Sequence, residues 1–171
     1  RASDDVEIVG TPVALEPAGP GSVMSWNVSS AFSEDTLAGV TTLSDDLLSY
    51  LTWGDLESEV TGIANLSTVT VREEGQNTVF ARVNVQSASD QTQMVKFGYS
   101  DRVRVYLNGT LLYTGDNGFV TRDYRYLGTI GLFDAVPLVL NEGDNELIFA
   151  VSESFGGWAV LAQFDSPDAV E

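Results

Sequence analysis

Apolar and polar residues alternate with a period of two through most of the chain, which predicts strands rather than helices. The pattern is plainest over 78–86. There Val79, Ala81, Val83 and Val85 fall on one face, and Phe80, Arg82 and Asn84 on the other. Further strands are expected at 66–72, 93–99, 103–107, 110–113, 124–127, 136–140, 145–151 and 158–164, with 22–28, carrying Met24 and Trp26, as the first core strand. Asn108-Gly109 between two of these runs predicts a tight hairpin with a type I′ turn, because both central residues need positive φ. The segments Glu73–Asn77 and Asn141–Asp144 read as further connections. One short helix is expected, with Ser44 as N-cap, Asp45 and Asp46 at its positive end, and Leu47–Leu51 following.

No long helical period separates the strands, which argues against a parallel α/β sheet. The expected fold is all-β, an antiparallel β-sandwich of the jelly-roll kind with at most one short helix. Residues 1–21 mix a short apolar run with Pro and Gly and read as a lead-in or edge strand; 22–171 read as a single sandwich domain. The length, 171 residues with 43% hydrophobic, suits one core.

Charge and missing residue types narrow the chemistry. Eight Lys and Arg against 25 Asp and Glu give a net charge of −17, which argues against nucleic acid and anionic membranes as partners. Histidine and cysteine are both absent, which excludes Ser-His and Cys-His catalysis, disulfides, and zinc sites built on those ligands. No run of about 20 apolar residues occurs, so no membrane insertion through a helix is expected. A start at Arg1 reads as a processed chain or a segment of a longer one, and a single lysine with abundant Asp, Gly, Ser and Thr suits solubility in salty or extracellular settings, with a general compositional habit as the alternative. An extracellular, cell-surface or periplasmic setting is the expectation. Asn27, Asn65 and Asn108 open sequons that a chain this rich in Ser and Thr produces by chance.

The second half carries an ordered string of short motifs. Phe97-Gly98-Tyr99-Ser100-Asp101 is followed by Val103-Arg104-Val105-Tyr106-Leu107-Asn108-Gly109, then Arg122-Asp123 and Leu127-Gly128. Leu138-Val139-Leu140, Gly143-Asp144-Asn145-Glu146-Leu147 and Glu153-Ser154-Phe155-Gly156-Gly157-Trp158 complete it. This string resembles the galactose-binding-domain-like β-sandwich modules of bacterial multidomain proteins, many attached to glycan-handling enzymes. The resemblance covers about residues 95–164 and implies a binding or accessory module without implying a sugar specificity.

Arg122, Asp123, Tyr124, Arg125 and Tyr126 are the candidate ligand-binding segment. They supply both the aromatic faces and the planar polar groups that a sugar site needs. The competing reading is a strand edge with an Arg–Asp pair. Trp158 after two glycines is a candidate stacking platform, and a core Trp is the alternative. Lys96, Arg102, Arg104, Arg122 and Arg125 crowd between 96 and 125, either as a cleft for an anionic ligand or as partners of nearby acids. Jelly-roll modules of this kind often hold a structural calcium, so Asp101, Asp116 and Asp123 are candidate calcium ligands, with ordinary turn aspartates as the alternative. No other cofactor is expected.

These readings converge on a non-catalytic carbohydrate-binding or accessory module of a secreted or surface protein. Its expected partners are a glycan and the other domains of a longer parent. A structural or interaction subunit using sheet-edge contacts, with residues 5–16 pairing with a neighbour, is the alternative; a glycoside hydrolase is the remote one.

Overall fold

The computed structural model describes residues 15–70, 73–121, 123 and 129–166. Among the described residues ten strands form two sheets. They are β1 (Ser25–Ser29), β2 (Trp53–Glu57), β3 (Ala64–Asn65), β4 (Thr78–Ser87) and β5 (Gln91–Ser100). Then follow β6 (Arg102–Leu107), β7 (Thr110–Asp116), β8 (Asp134–Leu140), β9 (Gly143–Ser152) and β10 (Ala159–Phe164). The larger sheet runs β2-β1-β4-β9-β6-β7 and the smaller β3-β10-β5-β8. The described pairings between strands are all antiparallel. The expected all-β sandwich is therefore what forms.

Alternation explains the core. Val79, Ala81 and Val85 of β4 and Leu147, Phe149 and Val151 of β9 face Val95, Phe97, Val160 and Phe164 of the smaller sheet. Phe149 sits edge-on to Trp26 at 5.6 Å and to Phe97 at 5.4 Å, the arrangement that the ring quadrupoles favour. A second apolar layer covers part of the outer face of the larger sheet. Phe32, Leu37 and Leu43, from the excursion between β1 and β2, lie over Phe80, Tyr106 and Ile148.

The local signals of the sequence are realised at several points. Asn108 (φ 48°) and Gly109 (φ 77°) make the left-handed pair of the β6–β7 hairpin. Ser44 caps a single helical turn, α1 (Asp45–Ser49), by accepting from the Leu47 N–H at 3.3 Å. Two expectations need correction. Of the strand placed at 66–72, the described residues 66–70 form none: the strand β3 ends at Asn65 and a 3₁₀ turn over Leu66–Thr68 follows, because the Asn65 side chain accepts from the Ser67 N–H at 3.3 Å. The first of the central strands starts at Ser25 rather than Ser22, although Ser22 bridges to Gln163 of β10. The expected strand at 124–127 lies outside the described residues, as do residues 1–14, on which most of the edge-exchange reading falls. Among the described residues no helix is long and apolar enough to cross a membrane.

Where the two sheets meet at their β7 and β8 edges, Tyr113 donates its hydroxyl proton to Asp134 Oδ1 at 2.9 Å. Tyr99 is buried beside this bridge, and burial pushes its hydroxyl well above the ordinary tyrosine range. This edge leads directly to the end of the sandwich where the candidate site lies.

Candidate functional site

Three connections meet at that end: the tight β5–β6 corner at Ser100 and Asp101, the long β7–β8 connection, and the β9–β10 loop. Between them lies a groove of about 480 Å³. Ser100, Asp101, Asn117 and Thr129 supply its polar lining. Phe119, Ile130, Phe155 and the Gly156-Gly157 main chain supply the apolar part. Phe119 is 80% exposed and Phe155 84%, so both rings stand in solvent at the groove.

Asp101 organises one wall. It is 7% exposed, and its Oδ2 accepts from the main-chain N–H groups of Ser154 (2.8 Å) and Phe155 (2.9 Å). Its Oδ1 accepts from the Ser100 hydroxyl at 3.0 Å. Its own main chain donates to Ser152 at 2.9 Å and accepts from Asn117 N–H at 2.7 Å. Through its side chain and main chain together Asp101 thus ties all three segments, and its carboxylate fixes the backbone from which Phe155 projects. Asp116 does the same for the other wall. Its Oδ1 accepts from the Gly118 N–H and the Thr121 hydroxyl, each at 2.8 Å, which closes the turn presenting Phe119.

These bonds decide how the aspartates fit calcium. A calcium site gathers several oxygens around the ion, with carboxylate lone pairs aimed at it. The oxygens of Asp101 are aimed instead at N–H and O–H donors, as is Oδ1 of Asp116. No group of three or more acidic side chains that could hold a metal occurs among the described residues. Asp101 and Asp116 do not fit a calcium centre, and Asp123 is exposed in the β7–β8 connection.

Trp158 is also corrected. It is 5% exposed, belongs to the core between the sheets, and donates its indole N–H to the Val151 carbonyl at 3.0 Å. A ring so enclosed cannot stack on a ligand. The exposed aromatic of that loop is Phe155, three residues earlier. Arg122, Tyr124, Arg125 and Tyr126 lie outside the described residues; Phe119 and Thr129, on either side of that segment in the chain, both line the groove.

The basic cluster divides. Lys96 pairs with Asp165 at 2.9 Å. Arg102 grips Glu34 through Nε (2.9 Å) and Nη2 (2.7 Å) and also donates to the Ser154 hydroxyl. Those bonds hold the Glu34 carboxyl below its ordinary range. Arg104 opens with Thr114 and Asp116 onto a separate hollow of about 300 Å³.

No family model matches the sequence, and no curated protein matches it. Solved structures do. A selenomethionine-labelled β-glucosidase from Kluyveromyces marxianus is 13% identical with a TM-score of 0.50, over 85% of this chain and 17% of that one. A family 35 carbohydrate binding module from an environmental isolate is 17% identical with a TM-score of 0.39, over 53% of this chain and 67% of that one. The CBM35 of Paenibacillus barcinonensis is 15% identical with a TM-score of 0.40, over 88% of this chain and 97% of that one. The glucosidase likeness is one of fold, and this chain overlaps about a sixth of that enzyme's length. What the described residues form is the antiparallel β-sandwich that the motif string led one to expect.

Proposed function

We propose that this chain is a non-catalytic carbohydrate-binding module, acting as an accessory to a longer extracellular or surface protein. The observation that carries the reading is the groove with two solvent-exposed phenylalanine rings beside Ser100, Asn117 and Thr129. Aromatic faces stack on the C–H groups of a pyranose ring, and amide and hydroxyl groups bond its hydroxyls. Large rings left in water at a concave site favour a ligand that covers them. Glycoside cleavage takes two carboxyl groups facing one bond. The described groove lining has one carboxylate, Asp101, already engaged by three donors, and that supports binding over hydrolysis. A shallow site of this kind binds weakly and gains from several copies in one parent.

The test is affinity electrophoresis and glycan-array binding of the wild type, Phe119→Ala, Phe155→Ala and Tyr124→Ala, each with calcium and with EDTA. Each Phe variant is expected to lose about tenfold in affinity, roughly 1.4 kcal/mol, and to unfold like the wild type. EDTA is expected to change neither binding nor stability. Silence of the wild type against a broad panel, or full binding by both Phe variants, would refute the reading.

A further inference from the structure

Two features of the groove bear on what kind of sugar it takes. The first is charge. Of the described cations in the crowded stretch, Lys96 and Arg102 are paired with acids, and Arg104 faces another hollow. None lines the groove, whose charged lining group among the described residues is the Asp101 carboxylate. Buried and poorly screened by salt, that carboxylate repels an anionic ligand.

The second feature is the bare main chain at Gly156-Gly157. Gly156 has φ 112°, which only glycine adopts readily. Gly157 carries no such requirement. Its φ lies outside the left-handed region, and a Cβ built on it would meet no atom of the described residues within 4 Å. Among the described residues the packing leaves space for a side chain at 157, so a glycine there keeps open the groove that this residue lines.

We propose that the groove accepts an uncharged pyranose resting against the Gly156-Gly157 main chain beside Phe119 and Phe155, with the missing side chain at Gly157 setting that specificity. This rests on the carbohydrate-binding reading and deepens it. Gly157→Ala would introduce a methyl where the ring lies. Gly54→Ala is the matched control, since Gly54 in β2 also has nothing within 4 Å of an added Cβ and lies away from the groove.

The experiment follows amide resonances of ¹⁵N-labelled protein during titration with methyl glycosides of glucose, galactose, mannose and xylose, and with methyl glucuronide and methyl galacturonide. A neutral glycoside is expected to bind, its matched uronide at least tenfold more weakly. Gly157→Ala is expected to lose tenfold or more in affinity with an unchanged or raised unfolding midpoint, while Gly54→Ala keeps its affinity. Preference for a uronide, or undiminished binding by Gly157→Ala, overturns the proposal. If Phe155→Ala abolishes binding and Gly157→Ala does not, carbohydrate binding stands and this specificity falls. If no glycoside of either charge shifts any resonance, both fall.

Discussion

Replacing Asp101 by alanine tests whether one carboxylate holds the end of the sandwich together. The substitution strands the N–H groups of Ser154 and Phe155, now bonded at 2.8 and 2.9 Å, and leaves the Ser100 hydroxyl without its 3.0 Å acceptor. Hydrogen bonds to a charged group contribute about 1.5–3 kcal/mol each. Ser154 and Phe155 are exposed residues, so water can reach part of what is lost. The expected cost is therefore about 3 kcal/mol rather than the full sum of the bonds. For a chain of this length that lowers the thermal midpoint by roughly 6–12 °C. Asp101→Asn keeps the shape and one acceptor oxygen, and should cost about half as much. Urea unfolding followed by circular dichroism measures both variants, with the slope m unchanged if the native state stays compact. Because Asp101 bonds the N–H of Phe155 itself, both variants should also bind sugar more weakly at temperatures where they remain folded. A cost within about 0.5 kcal/mol for Asp101→Ala, the range of an ordinary surface change, would refute the assigned role. So would an Asn variant as damaged as the Ala one.

Two further predictions concern residues whose roles the structure reassigns. Trp158→Ala should destabilise by about 3–5 kcal/mol because it empties a core position, whereas Trp158→Phe should be milder and leave sugar affinity unchanged. An affinity loss for Trp158→Phe without a stability loss would restore the ring as a ligand platform. Glu34→Gln should cost about 1 kcal/mol at neutral pH, where the Glu34–Arg102 pair is intact with both side chains 28% exposed. The folded carboxyl titrates below the reference value of 4.5, so the unfolded chain takes up the proton first. The stability due to this pair is full above pH 4.5 and is lost as pH falls through the lower folded value. The gap between wild type and Glu34→Gln should accordingly shrink between pH 6 and pH 3 in denaturant melts, and a constant gap would contradict it.

Much of the sheet framework was legible because period-two alternation is a local property. Residues 78–86 show both faces directly, and Asn108-Gly109 and Ser44 each specify their geometry with few residues. What decided the remaining elements was tertiary. β2, reading Trp53-Gly54-Asp55-Leu56-Glu57, looks unremarkable as a strand and is held by its pairing with β1. The outer apolar layer was also hidden, since Phe32, Leu37 and Leu43 follow no strand period. They are buried because the excursion folds onto Phe80, Tyr106 and Ile148. At the candidate groove, the sequence singled out the glycine loop but named as its platform the ring that is enclosed. Phe155 and Trp158 both flank the glycines, and hydrophobicity alone cannot tell which faces water. The Val151 carbonyl beside the indole N–H settles it, and that contact joins residues on different strands.

The loop aspartates show how the same residue pattern serves a different purpose. Acids in the turns of a sandwich read from sequence as calcium ligands, because an ion would order loops that otherwise fluctuate. Here the ordering comes from main-chain donors: Asp101 fixes the β9–β10 loop under Phe155, and Asp116 fixes the turn under Phe119. Both bonding sets begin at strand ends that are already paired in the larger sheet, Arg102 opposite both Ser152 and Asp116. The rings are thereby held by the framework before a ligand arrives, so less ordering entropy opposes binding. That arrangement also limits what the groove can take. The wall that carries Phe155 is positioned by the buried Asp101 carboxylate, and on the proposed reading a sugar bearing a charge of the same sign would be opposed by the group that builds that wall.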